Sequence, residues 1–199
     1  MMNENTGTTE NRNPYTIWFV ALSFIAPVVL AYVLYFSGAI TTYSNHGEIL
    51  DPVIDVSQLK LKDDSNAPIP REVFTRKWRL ISFVGADCDE ACIARLYDSR
   101  QVHKALGKDQ DRVERMIVHL QPASADLSKL IKDEYPNAVN VHGDEKIISN
   151  TFGSAALINE NQIYIMDPIG NVMMRFTQEQ SKKDIKSDLQ KLLKVSQIG

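Results

Sequence analysis

Residues 78–92 read WRLISFVGADCDEAC, and this stretch decides the fold. Its first half, 78–85, is a short, β-rich run that ends in glycine, the pattern of a central strand. Its second half opens a helix. Asp87 or Asp89 supplies a capping oxygen, Ile93, Leu96 and Tyr97 follow at i, i+3, i+4 spacing, and Gly107 offers a stop.

Toward the C-terminus the rhythm repeats. Residues 115–120 (RMIVHL) read as a second strand, 124–135 as a helix opened by Ser-Ala-Asp, and 137–141 as a third, short strand. Strands joined by helices imply right-handed crossovers and a parallel sheet. The pattern then changes: 162–166 (QIYIM) and 172–177 (VMMRFT) flank Asp167-Pro-Ile-Gly-Asn171, so they pair as an antiparallel hairpin. A last amphipathic helix covers 178–195, with Ile185, Leu189, Leu192 and Leu193 on one face. The sum is a three-layer α/β domain with a mixed sheet.

Toward the N-terminus, residues 17–36 (IWFVALSFIAPVVLAYVLYF) carry no charge. At helical rise they span about 30 Å, the thickness of a bilayer core. This stretch reads as a transmembrane helix, with Pro27 tolerated as it is in spanning helices. Tyr15 and Trp18 at one end, and Tyr32, Tyr35 and Tyr43 at the other, suit the aromatic belts. The run is longer than the roughly 7–15 residues of a cleavable signal's apolar region. Glu4 and Glu10 beside a single Arg12 also argue against such a signal, so the segment reads as an uncleaved anchor. Arg12 precedes the helix and no Lys or Arg follows it before Lys60, which puts the tail in the cytoplasm and the domain outside. In a bacterium the location is the inner (cytoplasmic) membrane, with the C-terminal domain in the periplasm. The expected organisation is a cytoplasmic polar tail (1–16, with 1–13 disordered), the anchor (17–36), a juxtamembrane linker and extended segment (37–77) and one domain (78–199). The linker assignment follows Asp51-Pro52, Ala67-Pro68 and Ile69-Pro70, since the residue before each proline is pushed toward extended geometry.

The 199 residues include 25 Asp and Glu against 22 Lys and Arg, a formal charge of −3, with 44% hydrophobic residues, 9 Gly and 8 Pro. Such composition excludes collagen-like and low-complexity classes, and a near-neutral chain lacks the basic footprint of a nucleic-acid binder. Two cysteines cannot build a disulfide scaffold, but they can form one bridge or half of a metal site.

Those cysteines carry the chemistry. Cys88 and Cys92 form a Cys-x-x-x-Cys motif where a strand hands over to a helix, and ligands of parallel α/β sheets bind at the carboxyl ends of strands. One turn apart, the sulfurs can share a soft metal such as copper or zinc, or approach disulfide distance. A helix N-terminus lowers a thiol pKa, whereas Asp87, Asp89 and Glu90 raise it and favour a nearby cation. The bland alternative is a structural disulfide or two buried small side chains.

The strand, the Cys88-x-x-x-Cys92 loop, the helix with Arg100-Gln-Val, the strand into Leu120-Gln-Pro122, and Tyr164-Ile-Met-Asp-Pro168 with Gly170 resemble the Sco/SenC group. The resemblance covers about 79–195. It implies a thioredoxin-like fold and a membrane-anchored protein that delivers copper to cytochrome c oxidase or manages the redox state of its cysteines. The implied partners are the bilayer and an oxidase subunit or another respiratory assembly protein. Two departures accompany it: Asp89 and Ile93 stand where the family has prolines, and Asn159 stands where it has a copper-ligating histidine. No proline lies close to Asn159 to serve as the cis-proline of ordinary thioredoxin-like enzymes.

His142, in Val141-His-Gly143 after a strand, is the best substitute third ligand, with a solvated loop histidine as its alternative. His119, His103 and His46 rank below it, and Met166, Met173 and Met174 read as core filler. No phosphate-cradling loop, H-E-x-x-H or nucleophile elbow is present. Three functions compete: an assembly factor acting through copper or thiol redox control, a periplasmic thiol-disulfide oxidoreductase attacking through Cys88 and resolving through Cys92, and a degenerate thioredoxin-like scaffold.

Overall fold

The computed structural model describes residues 15–36, 45–153, 158, 161–196 and 198. The expectations for 1–13, Tyr43 and Asn159 fall outside the described residues. The chain divides into two units, 1–44 and 45–199. In the first, α1 (Tyr15–Phe36) contains Pro27, and its window Trp18–Phe36 has a mean hydropathy of 2.3, long and apolar enough to cross a membrane.

The second unit is built on a six-stranded mixed sheet. In chain order its elements are β1 (Glu48–Asp55), β2 (Trp78–Val84), α2 (Glu90–Lys104), β3 (Val113–His119), α3 (Ala125–Glu134), β4 (Ala138–His142), α4 (Glu145–Thr151), β5 (Ile163–Met166), β6 (Asn171–Phe176) and α5 (Lys182–Val195). The strand order is β1-β6-β5-β2-β3-β4. β2 pairs parallel with β3 and β3 with β4, whereas β5, β6 and β1 add antiparallel on the other side of β2. Every residue of β2 is buried, as a strand covered on both faces requires.

Period-two alternation divides the core. Ile81 and Phe83 face one side with Met116, Val118, Tyr164 and Met166, under Ile148 and Phe152. Leu80 and Val84 face the other, where α2, α3 and α5 bring Val102, Leu96, Leu127, Ile131, Ile185 and Leu189. The result is the expected three-layer, thioredoxin-like architecture, with Met166 and Met174 fully buried as core.

The stretch expected as a linker, 37–77, is from Glu48 onward part of the sheet and core. β1 pairs with β6, and Val56, Leu59, Leu61 and Phe74 are buried beneath β2 and β3. Pro52 lies within β1, at the edge of the sheet. An edge strand tolerates proline, and the β1–β6 ladder is irregular between Ile49 and Ile54, where it sits. Buried Arg79 on β2 anchors the preceding 3-10 turn (Arg71–Phe74), donating to the carbonyls of Phe74 and Val73 and pairing with Glu114.

Two smaller expectations also shift. Helix α2 ends at Lys104, and Gly107, at φ +61°, instead opens a 3-10 turn through Arg112. On α2 only Leu96 of the expected apolar trio is buried; Ile93 is 39% and Tyr97 44% exposed, because Cys92, Leu96, Ser99 and Val102 form the inner face. Ser181 and Asp184 close a capping box that starts α5 at Lys182.

Candidate functional site at the carboxyl edge of the parallel strands

β2 hands the chain to α2 through Gly85–Asp89, and hydrogen bonds fix this loop to its neighbours. The Leu120 amide donates to the Val84 carbonyl at 2.8 Å, and the Ser124 amide to the Ala86 carbonyl at 2.7 Å. Asp89 is the N-cap of α2: its carboxylate accepts from the Cys92 amide at 2.8 Å. Cys88 therefore precedes the helix and Cys92 lies in its first turn, with 5.3 Å between their Cα atoms and a disulfide joining their sulfurs.

The two cysteines differ in access. Cys92 is fully buried with Val84, Leu96 and Leu127, whereas Cys88 is half-buried. Cys88 lines a cavity of about 400 Å3 together with Asp87, Ile93, Ser124, Asp126, Leu127 and Leu130. Sequence reasoning missed this groove's second wall. Its only signal was the Ser-Ala-Asp cap of α3, which parallel pairing of β2 and β3 brings to the same edge as Cys88.

His142 is at the end of β4, two strands from β2, and its partners are others. It pairs in register with His119, their rings stacked at 5.2 Å between centroids, and its Nε2 lies 2.9 Å from the Asp64 carboxylate. His119 donates from Nε2 to Asn140 Oδ1 at 3.1 Å, while its Nδ1 is buried without a hydrogen-bond partner. Burial pushes the His119 pKa down, against the opposing effect of the Asn140 hydrogen bond. Both imidazoles border a cavity of about 550 Å3. His103 hydrogen-bonds the Val113 carbonyl and His46 bonds Asp188, so neither is near the cysteines' loop. Among the described residues no three Cys, His, Asp or Glu side chains gather to hold a metal ion. The structure thus brings Cys88 and Cys92 together and leaves His142 apart.

A disulfide across the first turn of the helix that follows a central parallel strand sits within a thioredoxin-like fold. The chain belongs to the family described as transmembrane-like, thioredoxin-like, C-terminal domain, whose model matches residues 78–196. No curated protein sequence matches it. Yeast Sco1 with copper bound is similar in structure at a TM-score of 0.55 and 15% identity, over 72% of this chain and 92% of that one. BsSco, a Sco-family cytochrome c oxidase assembly protein studied for a disulfide switch, is similar at 0.53 and 15%, over 72% and 96%. A thiol:disulfide interchange protein from Bacteroides sp. is similar at 0.51 and 16%, over 76% and 91%. At such identities these likenesses establish the fold.

Proposed function

We propose that the protein is a membrane-anchored, Sco-like assembly factor for a respiratory cytochrome oxidase, acting by thiol–disulfide exchange at Cys88 and Cys92. The observation that carries this reading is the disulfide itself, with one sulfur reachable and the other sealed. A client thiolate attacks Sγ of Cys88, the Cys88–Cys92 bond breaks, and Cys92 leaves as a thiolate. A second client thiolate then attacks the client sulfur of the mixed disulfide and releases Cys88. The client is oxidised by two electrons and the pair is reduced; the reverse sequence reduces a client disulfide. Burial of Cys92 directs the intermolecular step to Cys88.

Orientation with the domain in the periplasm of the inner membrane is supported by Arg12 before α1 and the lack of Lys or Arg before Lys60. Copper delivery is the second reading, favoured by two soft donors one turn apart in a fold shared with copper-bound yeast Sco1. The described residues complete only two positions of such a site, because His142 is held on β4. Redox control is therefore preferred. A chromosomal Cys88→Ala substitution is expected to lower assembled oxidase in reduced-minus-oxidised spectra of membranes, and unchanged oxidase would remove the assembly role.

A further inference from the structure

We propose that the groove between the first turns of α2 and α3 docks the client, taking an extended segment whose reacting cysteine is flanked by a large apolar residue and by a lysine or arginine. The proposal rests on the exchange function above and adds the chemistry that selects the substrate.

Three observations meet in the groove. The reachable sulfur, Cys88, forms part of its wall, so whatever occupies it is presented to the reacting atom. Its floor is apolar: Leu127 and Leu130 from α3, and Ile93 from α2, which is 39% exposed while Cys92, Leu96 and Val102 of that helix are buried. An exposed apolar side chain beside a reactive group is covered when an apolar partner residue packs on it. The rim is acidic, with exposed Asp87 on the loop and exposed Asp126 in the first turn of α3, and no lining residue is basic.

Charge decides the occupant. Helix N-termini by themselves attract anions, but two carboxylates at the mouth reverse the local sign, so a cationic side chain beside the client cysteine is drawn in and an anionic one repelled. A lysine or arginine also suits the geometry, since its stem lies along Ile93 or Leu130 while its head reaches Asp87 or Asp126. The Ser124–Ala86 hydrogen bond holds the two walls in place, so the groove is preformed.

The test uses the oxidised full chain in detergent micelles and synthetic dithiol peptides differing at one position, leucine-cysteine-lysine against leucine-cysteine-glutamate, with serine replacing leucine in a third. Reduction of Cys88–Cys92 is followed by alkylation and mass spectrometry, and each rate is divided by that peptide's rate with a small aromatic disulfide to remove intrinsic thiol reactivity. The lysine peptide is expected to react about tenfold faster than the glutamate peptide, the scale of two partly screened charges. In Asp87→Asn/Asp126→Asn the ratio should fall to within about twofold, and in Ile93→Ser the advantage of leucine over serine should disappear. Because each readout is a ratio on one protein preparation, loss of overall activity does not imitate it. Equal rates for lysine and glutamate, or a ratio unchanged in the double variant, overturn the docking site while leaving exchange intact. Failure of dithiothreitol to reduce the pair overturns the exchange function and the docking site with it.

Discussion

His46 and Asp188, 142 residues apart in the chain, are bonded twice: the His46 amide donates to Asp188 Oδ2 at 2.5 Å and its ring Nδ1 lies 3.0 Å from Oδ1. The Gly47 amide adds a third bond at 2.9 Å and Lys191 an ion pair at 3.1 Å, all to a carboxylate on α5 that is 1% exposed. Gly47 is required beside it, since a Cβ there would come within 2.6 Å of the Phe176 ring. This clasp ties the start of the folded unit to its last helix.

Asp188→Ala should therefore cost about 3 kcal/mol, because it leaves two backbone amides facing a dry site. Burial alone raises the Asp188 pKa, but the Gly47 amide, His46 and Lys191 outweigh it and hold the carboxyl below its usual range. For a depressed acid the stabilisation is fully present above the ordinary carboxylate pKa and is lost as pH falls through the folded value. Urea unfolding followed through buried Trp78 should show the wild-type advantage near neutral pH and its decline under strongly acidic conditions. An unchanged midpoint in the variant would mean that the clasp contributes nothing.

His119 makes the opposite kind of contribution. Burial depresses its pKa, so as pH drops through the ordinary imidazole range the unfolded chain takes up a proton that the folded chain refuses. Stability should fall between about pH 7.5 and 5.5. His103, also depressed by burial, adds to the slope. Replacing His119 by Gln should make the slope shallower without flattening it, as denaturation midpoints at the two pH values would show. Identical slopes would assign the pH dependence elsewhere.

The sequence carried the parts of this fold that are set locally. Residues 78–84, a short β-rich run ending at glycine, and α5, with Ile185, Leu189 and Leu193 on one stripe, could be read within a few residues. β1 could not, because Glu48, Asp51, Pro52 and Asp55 look like a solvated connection until β6 offers them a ladder. α4 has seven residues and one buried side chain, Ile148, too little for a period to show. At the site, Cys88 and Cys92 announced themselves by residue type and spacing. The stacking of His119 on His142, and the meeting of Ile93 with Leu127 and Leu130, depend on register between strands far apart in sequence.

Copper binding should depend on the sulfurs alone. In the reduced protein, competition with a calibrated Cu(I) chelator should show affinity that Cys88→Ala and Cys92→Ala each abolish, while His142→Ala leaves it unchanged, since His142 is engaged with Asp64 and stacked on His119. A tenfold loss on His142→Ala would show that β4 supplies a third ligand, contrary to this arrangement.

The unequal burial of the two sulfurs gives the sharpest expectation. In Cys92→Ala, the thiol of Cys88 stays half-buried at the groove and should accept a bulky maleimide readily; in Cys88→Ala, the thiol of Cys92 is sealed beneath α2 and α3 and should react at least about a hundredfold more slowly under native conditions. Denaturant should erase the difference. The single cross-link closes a very short loop, so its removal should cost only about 2 kcal/mol, and both variants should remain folded. With a client peptide supplied in its disulfide form, the Cys88 thiolate of Cys92→Ala should attack that disulfide, expel one client sulfur as a thiolate and accumulate a mixed disulfide at Cys88, because the Cys92 thiol that would resolve it is gone, whereas Cys88→Ala should form none. Adducts found on Cys92 at comparable rates would reverse the order of attack and place the reachable sulfur one turn further into the helix.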